Sequence, residues 1–190
     1  METIQRCIEI LLLLKQKTVG LNHYGESFLH SEIIEIIEKL NAADIKPWIY
    51  TNGDLIYKYE ISKLKLHLLV ISGHASYDER YNAARYYESL GLPTSIQPNV
   101  TQERAIDIAG QVKGYAINCT KNILKDPENH CRFLKEQNYV VLWNGDLVPC
   151  CMDYDGKDIF GSIYDKNVLS LVAKAGKLCN QCGGHPGNVV

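Results

Sequence analysis

Apolar positions at Ile4, Ile8, Leu11 and Leu12 recur at helical spacing, so residues 2–16 read as an amphipathic helix. Residues 17–23 read as extended and end at the break Tyr24-Gly25-Glu26-Ser27. Ile33, Ile36, Ile37 and Leu40 mark a second helix over 33–40, with Ser31 as its expected N-cap. A short strand at 47–50 runs into the turn Thr51-Asn52-Gly53. Residues 66–72 form a near-continuous apolar run, the pattern of a strand buried on both faces. A helix over 77–90 is stopped by Gly91, whose lack of a Cβ suits the left-handed exit from a helix. A strand near 94–97, a helix near 102–112 and a strand at 115–119 complete the series.

Strands separated by helices of this length imply parallel βαβ units with right-handed crossovers. About five strands fall short of a closed eight-stranded barrel, so the expectation is an α/β fold built as an open partial (β/α) barrel. The pattern then changes. Residues 139–143 and 147–152 flank Asn144-Gly145-Asp146, a hairpin signal because Asn and Gly tolerate positive φ. Residues 153–161 are turn-rich, and 168–176 read as a short helix leading to Cys179-x-x-Cys182. The polar stretch 121–130, with Pro127, marks the expected boundary between a first domain at 1–122 and a second at 123–190.

Composition narrows the classes. The 190 residues are 46% hydrophobic and carry a formal charge of −2, without a basic run interleaved with aromatics, which argues against a nucleic-acid partner. The apolar stretch at 8–14 is too short to span a bilayer and has no basic leader before it, so the expectation is a cytoplasmic protein with no membrane partner. In a reducing compartment the seven cysteines favour metal over disulfides.

Four of them, Cys131, Cys150 and the pair Cys179 and Cys182, come from separated segments of the last third and could close a tetrahedral shell around zinc or an iron–sulfur cluster. Adjacent strand residues face opposite ways, so of Cys150 and Cys151 only one is taken as a ligand, Cys150. Cys7, Cys119 and Cys151 read as small buried residues. His130 and His185 flank the ligand cysteines and read as solvated neighbours. His74 follows a strand where a pocket could be lined, and Tyr81, Tyr86 and Tyr87 read as packing or surface side chains of their helix.

The order Cys131, Gly145, Cys150 and Cys179-x-x-Cys182, with the words Asn144-Gly145-Asp146-Leu147-Val148-Pro149-Cys150-Cys151, Asp153, Gly156 and Gly161, resembles the SPASM/twitch extension of radical S-adenosylmethionine (SAM) enzymes. The resemblance implies an auxiliary [4Fe–4S] cluster held by Cys131, Cys150, Cys179 and Cys182, with zinc as the alternative occupant. Upstream, Tyr24-Gly25-Glu26-Ser27 resembles the family's Gly-Gly-Glu loop, and Tyr50-Thr51-Asn52-Gly53 resembles its Thr-Asn-Gly turn. These imply a SAM-like pocket at Gly25, Glu26 and Thr51, although the loop's first glycine and following proline are absent.

A larger departure is the missing Cys-x3-Cys-x2-Cys triplet that reduces SAM in the family. The chain starts within the helix that follows that loop, and Cys7 stands alone. The expectation is therefore an iron–sulfur protein that cannot cleave SAM by itself and acts in electron transfer, redox sensing or structure. Catalytic residues stay unassigned. The alternatives are a partner-assisted SAM- or small-molecule-dependent enzyme and a structural-zinc interaction module. An open barrel also implies a protein partner or a second copy to cover it.

Overall fold

The computed structural model describes residues 1–22, 25–60, 63–71, 77–96, 131–151, 153 and 155–181. The chain divides into two compact units, residues 1–102 and 103–190. The expected boundary at 122/123 lies outside the described residues, as do the helix expected at 102–112 and the strand expected at 115–119.

The first unit is an α/β layer structure. Helix α1 (Glu2–Leu13) leads to strand β1 (Thr18–Gly20), α2 (Ile33–Ala42) to β2 (Lys46–Thr51), and α3 (Tyr77–Ser89) follows β3 (Leu68–Ile71) and precedes β4 (Thr94–Ile96). The four strands lie in the order β1-β2-β3-β4 with every pairing parallel. Sequence-adjacent parallel neighbours are what successive crossovers through helices produce. Leu69, Val70 and Ile71 are all buried, which explains the unbroken apolar run of β3.

One core cluster joins Ile33 and Ile37 of α2 to Ile49, Leu69 and Ile71 of the sheet and to Ala84 and Tyr87 of α3. A second joins Ile8 of α1 to Ile36, Leu40 and Ile45, with Val19 of β1 packed against it. The helical spacing of α1 and α2 thus reports which faces are covered. Of Tyr81, Tyr86 and Tyr87 on α3, the first two are exposed and Tyr87 is buried. Among the described residues no helix is long and apolar enough to cross a membrane.

Ser31 is not the cap of α2. Glu32 holds the N-cap position without a side-chain cap bond. The turn is closed by His30 instead, whose Nδ1 accepts from the Glu32 N–H at 3.1 Å while its carbonyl accepts from the Ile33 N–H. Gly91, at φ +84°, ends α3 as expected.

The second unit begins with a short helix, α4 (Arg132–Glu136), that carries Cys131 at its N-cap position. A three-stranded antiparallel sheet follows, β5 (Val140–Val141), β6 (Asp146–Val148) and β7 (Gly161–Ser162). The hairpin is where the Asn-Gly signal puts it, and Gly145 has φ +90°. Its third strand, β7, comes from a segment read as turn.

The helix expected over 168–176 is a single 3-10 turn, Val168–Ser170, after which Leu171 is extended. The reason is visible in the contacts. Residues 171–173 give their backbone groups to the side chains of Tyr139 and Gln137, so those groups cannot close helical bonds.

Candidate functional site

Three of the four cysteines expected to be ligands are described. Cys131 precedes α4, Cys150 lies just past β6, and Cys179 sits in the 3-10 turn Leu178–Gln181. All three are half-buried. Cys182 lies outside the described residues, as do Cys119, His74, His130 and His185. Among the described residues no group of three or more His, Cys, Asp or Glu side chains is close enough to hold a metal ion.

What these residues do show is how the cysteine-bearing segments are tied together. Asp153 is fully buried, and its N–H donates to the Cys150 carbonyl at 3.2 Å. Its carboxylate accepts the N–H groups of Lys157 and Asp158, one on each oxygen, at 2.8 Å each. The carboxylate of Asp158 repeats the motif, accepting the N–H groups of Lys177 and Leu178 at 2.8 Å each. The next residue is Cys179. Three successive hydrogen bonds thus connect the backbone at Cys150 to the backbone beside Cys179.

A second tie reaches the Cys131 segment. Gln137, in the left-handed region at the end of α4, offers its side-chain amide as a substitute peptide. Its Oε1 accepts the Ala173 N–H at 2.9 Å, and its Nε2 donates to the Ala173 carbonyl at 3.2 Å and the Leu134 carbonyl at 2.6 Å. The Tyr139 hydroxyl lies 3.0 Å from both Gln137 Oε1 and the Leu171 carbonyl. Burial pushes the Tyr139 phenol above its ordinary value, which keeps it a donor.

Sequence reading named Asp153 without a role and passed over Gln137, Tyr139 and Asp158. The available signal was two aspartates in a glycine-punctuated segment, where short carboxylates cap backbone turns.

The donor set suits the group implied for it. Thiolates on turns bind soft or borderline metals, zinc and iron–sulfur iron alike. The three described cysteines fit such a group in their chemistry, and hydrogen bonds tie the segments of Cys150 and Cys179 together. Cys7 is of another kind. Burial pushes its thiol up to about 11, so it stays protonated where a ligand must be a thiolate. Cys151 is half-buried beside Cys150.

In the first unit Glu26 and Thr51 are in direct contact. Glu26 Oε2 accepts from the Thr51 hydroxyl at 2.9 Å and from the Asn52 N–H at 3.1 Å, while Oε1 accepts the Phe28 N–H at 3.1 Å. Thr51 is buried, and its Oγ1 accepts the Gly53 N–H. Gly25 (φ +110°) and Gly53 (φ +89°) border open space at their Cβ positions. This edge is formed at the C-terminal ends of β1 and β2, where parallel α/β sheets take ligands. The buried Oδ1 of Asn22, just past β1, has no hydrogen-bond partner among the described residues.

The SPASM family model, described as an iron-sulfur cluster-binding domain, matches residues 131–180. No curated protein has significant sequence similarity to the chain. Among solved structures, BtrN in complex with AdoMet and 2-DOIA is similar at a TM-score of 0.66 and 16% identity, over 98% of this chain and 75% of BtrN. Selenomethionine BtrN in an open conformation is similar at a TM-score of 0.57 and 18% identity, over 95% of this chain and 78% of that one. Residues 131–180 thus match an iron-sulfur cluster-binding domain, and the chain as a whole shares the fold of BtrN.

Proposed function

We propose that the protein binds one auxiliary-type [4Fe–4S] cluster through Cys131, Cys150, Cys179 and Cys182, and that the cluster serves electron transfer, redox sensing or the stability of its own domain. The observation that carries this reading is the SPASM match on the segment holding Cys131, Cys150 and Cys179. With a cysteine on every iron, no iron is left open for SAM. The 190 residues contain no Cys-x3-Cys-x2-Cys triplet, so this chain by itself does not cleave SAM in this reading. The parallel sheet of the first unit is read as part of an open (β/α) barrel, with a partner chain or a second copy covering it.

Anaerobically purified protein should be brown and contain about four irons and four sulfides per chain. Colourless protein with one zinc and no sulfide would falsify the cluster and favour a structural metal.

A second reading is favoured by the Oδ1 of Asn22, just past β1, which has no hydrogen-bond partner among the described residues. In it the sheet edge binds SAM or a related small molecule without cleaving it, as BtrN is seen with AdoMet. Because the Glu26 carboxylate already holds Thr51, Asn52 and Phe28, the ligand meets backbone groups and Asn22 instead of that carboxylate. Calorimetric titration with SAM showing no heat at millimolar concentration sinks this reading.

A further inference from the structure

We infer that Asp158 is a positioning residue for the metal centre: it sets the turn that presents Cys179 and thereby governs how firmly the cluster is held. The inference rests on the cluster reading above and adds to it a residue that ligates nothing. Both oxygens of Asp158 are committed to the two N–H groups immediately before Cys179, those of Lys177 and Leu178. Two backbone donors on one carboxylate fix the local chain direction far better than one, and each is a charge-assisted bond. The Cys179 N–H then closes the turn on the Gly176 carbonyl at 3.2 Å.

At its other end Asp158 is not free to drift. Its own N–H donates to the buried carboxylate of Asp153, and the Asp153 N–H in turn donates to the Cys150 carbonyl. The chain is therefore cross-linked between two ligand segments through side chains before any metal is considered. Gly176 fits the same arrangement. A Cβ there would collide with the Asp158 carboxylate, so glycine is what lets the carboxylate sit over the amides that follow. Asp158 also lines a surface cavity of about 310 Å³, so shortening its side chain opens onto an existing space instead of a sealed void.

The test compares wild type, Asp158→Asn, Asp158→Ala, Gly176→Ala and the exposed-site control Asp155→Asn after anaerobic reconstitution. Asn keeps the size of Asp158 but replaces one acceptor with a donor that faces an N–H. Cluster release to a chelator should be about 10- to 100-fold faster in Asp158→Asn than in wild type, the usual range for residues that orient ligands. The EPR spectrum of the reduced cluster should shift or broaden in the same variant, a change that a loss of general stability does not produce. Gly176→Ala should reproduce both effects, and it carries the test alone if the Asp158 variants do not fold.

A release rate and spectrum equal to wild type in Asp158→Asn and Gly176→Ala overturn the inference and leave the cluster reading standing. Equal effects from Asp155→Asn overturn it too, since surface charge would then suffice. Wild-type protein holding neither iron nor sulfide overturns both.

Discussion

Asp153 is buried, and its carboxylate oxygens each accept a backbone N–H, from Lys157 and from Asp158. Burying such a group costs several kcal/mol when unpaired and little when its hydrogen bonds are complete. The Cys7 thiol answers burial by remaining neutral. Desolvation pushes it up to about 11 from an ordinary value of 9.0. Between those values the unfolded chain has lost the proton that the folded chain keeps. Stability from this group is therefore complete below about 9 and is lost as pH rises towards 11. Alkylation of Cys7 with iodoacetamide at pH 8, read by peptide mass spectrometry, should be roughly 100-fold slower in native than in urea-unfolded protein. A native pH–rate midpoint near 8.5 would contradict this. At this scale the sequence shows the cysteines but not their supports. Asp158 meets Lys177 and Leu178, and Gln137 meets Ala173, across distances along the chain that leave no periodic trace.

The hairpin β5–β6 was legible because its turn is chemically overdetermined. Asn144 Oδ1 accepts the Asp146 N–H at 3.1 Å, and Gly145 supplies the positive φ. Space requires glycine as well: a Cβ at Gly145 would stand 2.6 Å from Tyr164 Cε2 and 3.1 Å from Ile163 Cγ1. Gly145→Ala should therefore destabilise the protein by more than about 1 kcal/mol, through backbone strain and the displaced Tyr164 ring together. A chemical-denaturation midpoint unchanged from wild type would show that the turn relaxes freely. The parallel strands and helices of the first unit were legible for a simpler reason. Each buries a face whose period is written in the apolar residues, as Ile33, Ile37 and Leu40 of α2 illustrate. The expected helix at 168–176 failed because Gln137 and Tyr139 take its backbone groups. Strand β7 was hidden because two residues, Gly161 and Ser162, are too few to alternate.

The two units differ in what holds them. The first has two apolar clusters spanning helices and sheet. The second buries Leu134, Leu147, Val148, Ile163, Val168, Ala173 and Leu178 under short elements, and much of its order comes from side chains bonded to backbone. Small units with thin interiors commonly depend on a staple, and bound metal adds its binding free energy to folding. A group present at a thousand times its dissociation constant contributes about 4 kcal/mol. Stripping the metal should thus act on one unit and spare the other. Hydrogen-exchange mass spectrometry of loaded and chelator-treated protein should show protection lost across residues 131–181. Strands β1–β4 should be unchanged, since their amides are satisfied within a sheet that contains no proposed ligand. Equal loss of protection in both units would mean that the metal stabilises the chain as a single cooperative body. No loss in either would mean that the carboxylate and amide ties suffice without it.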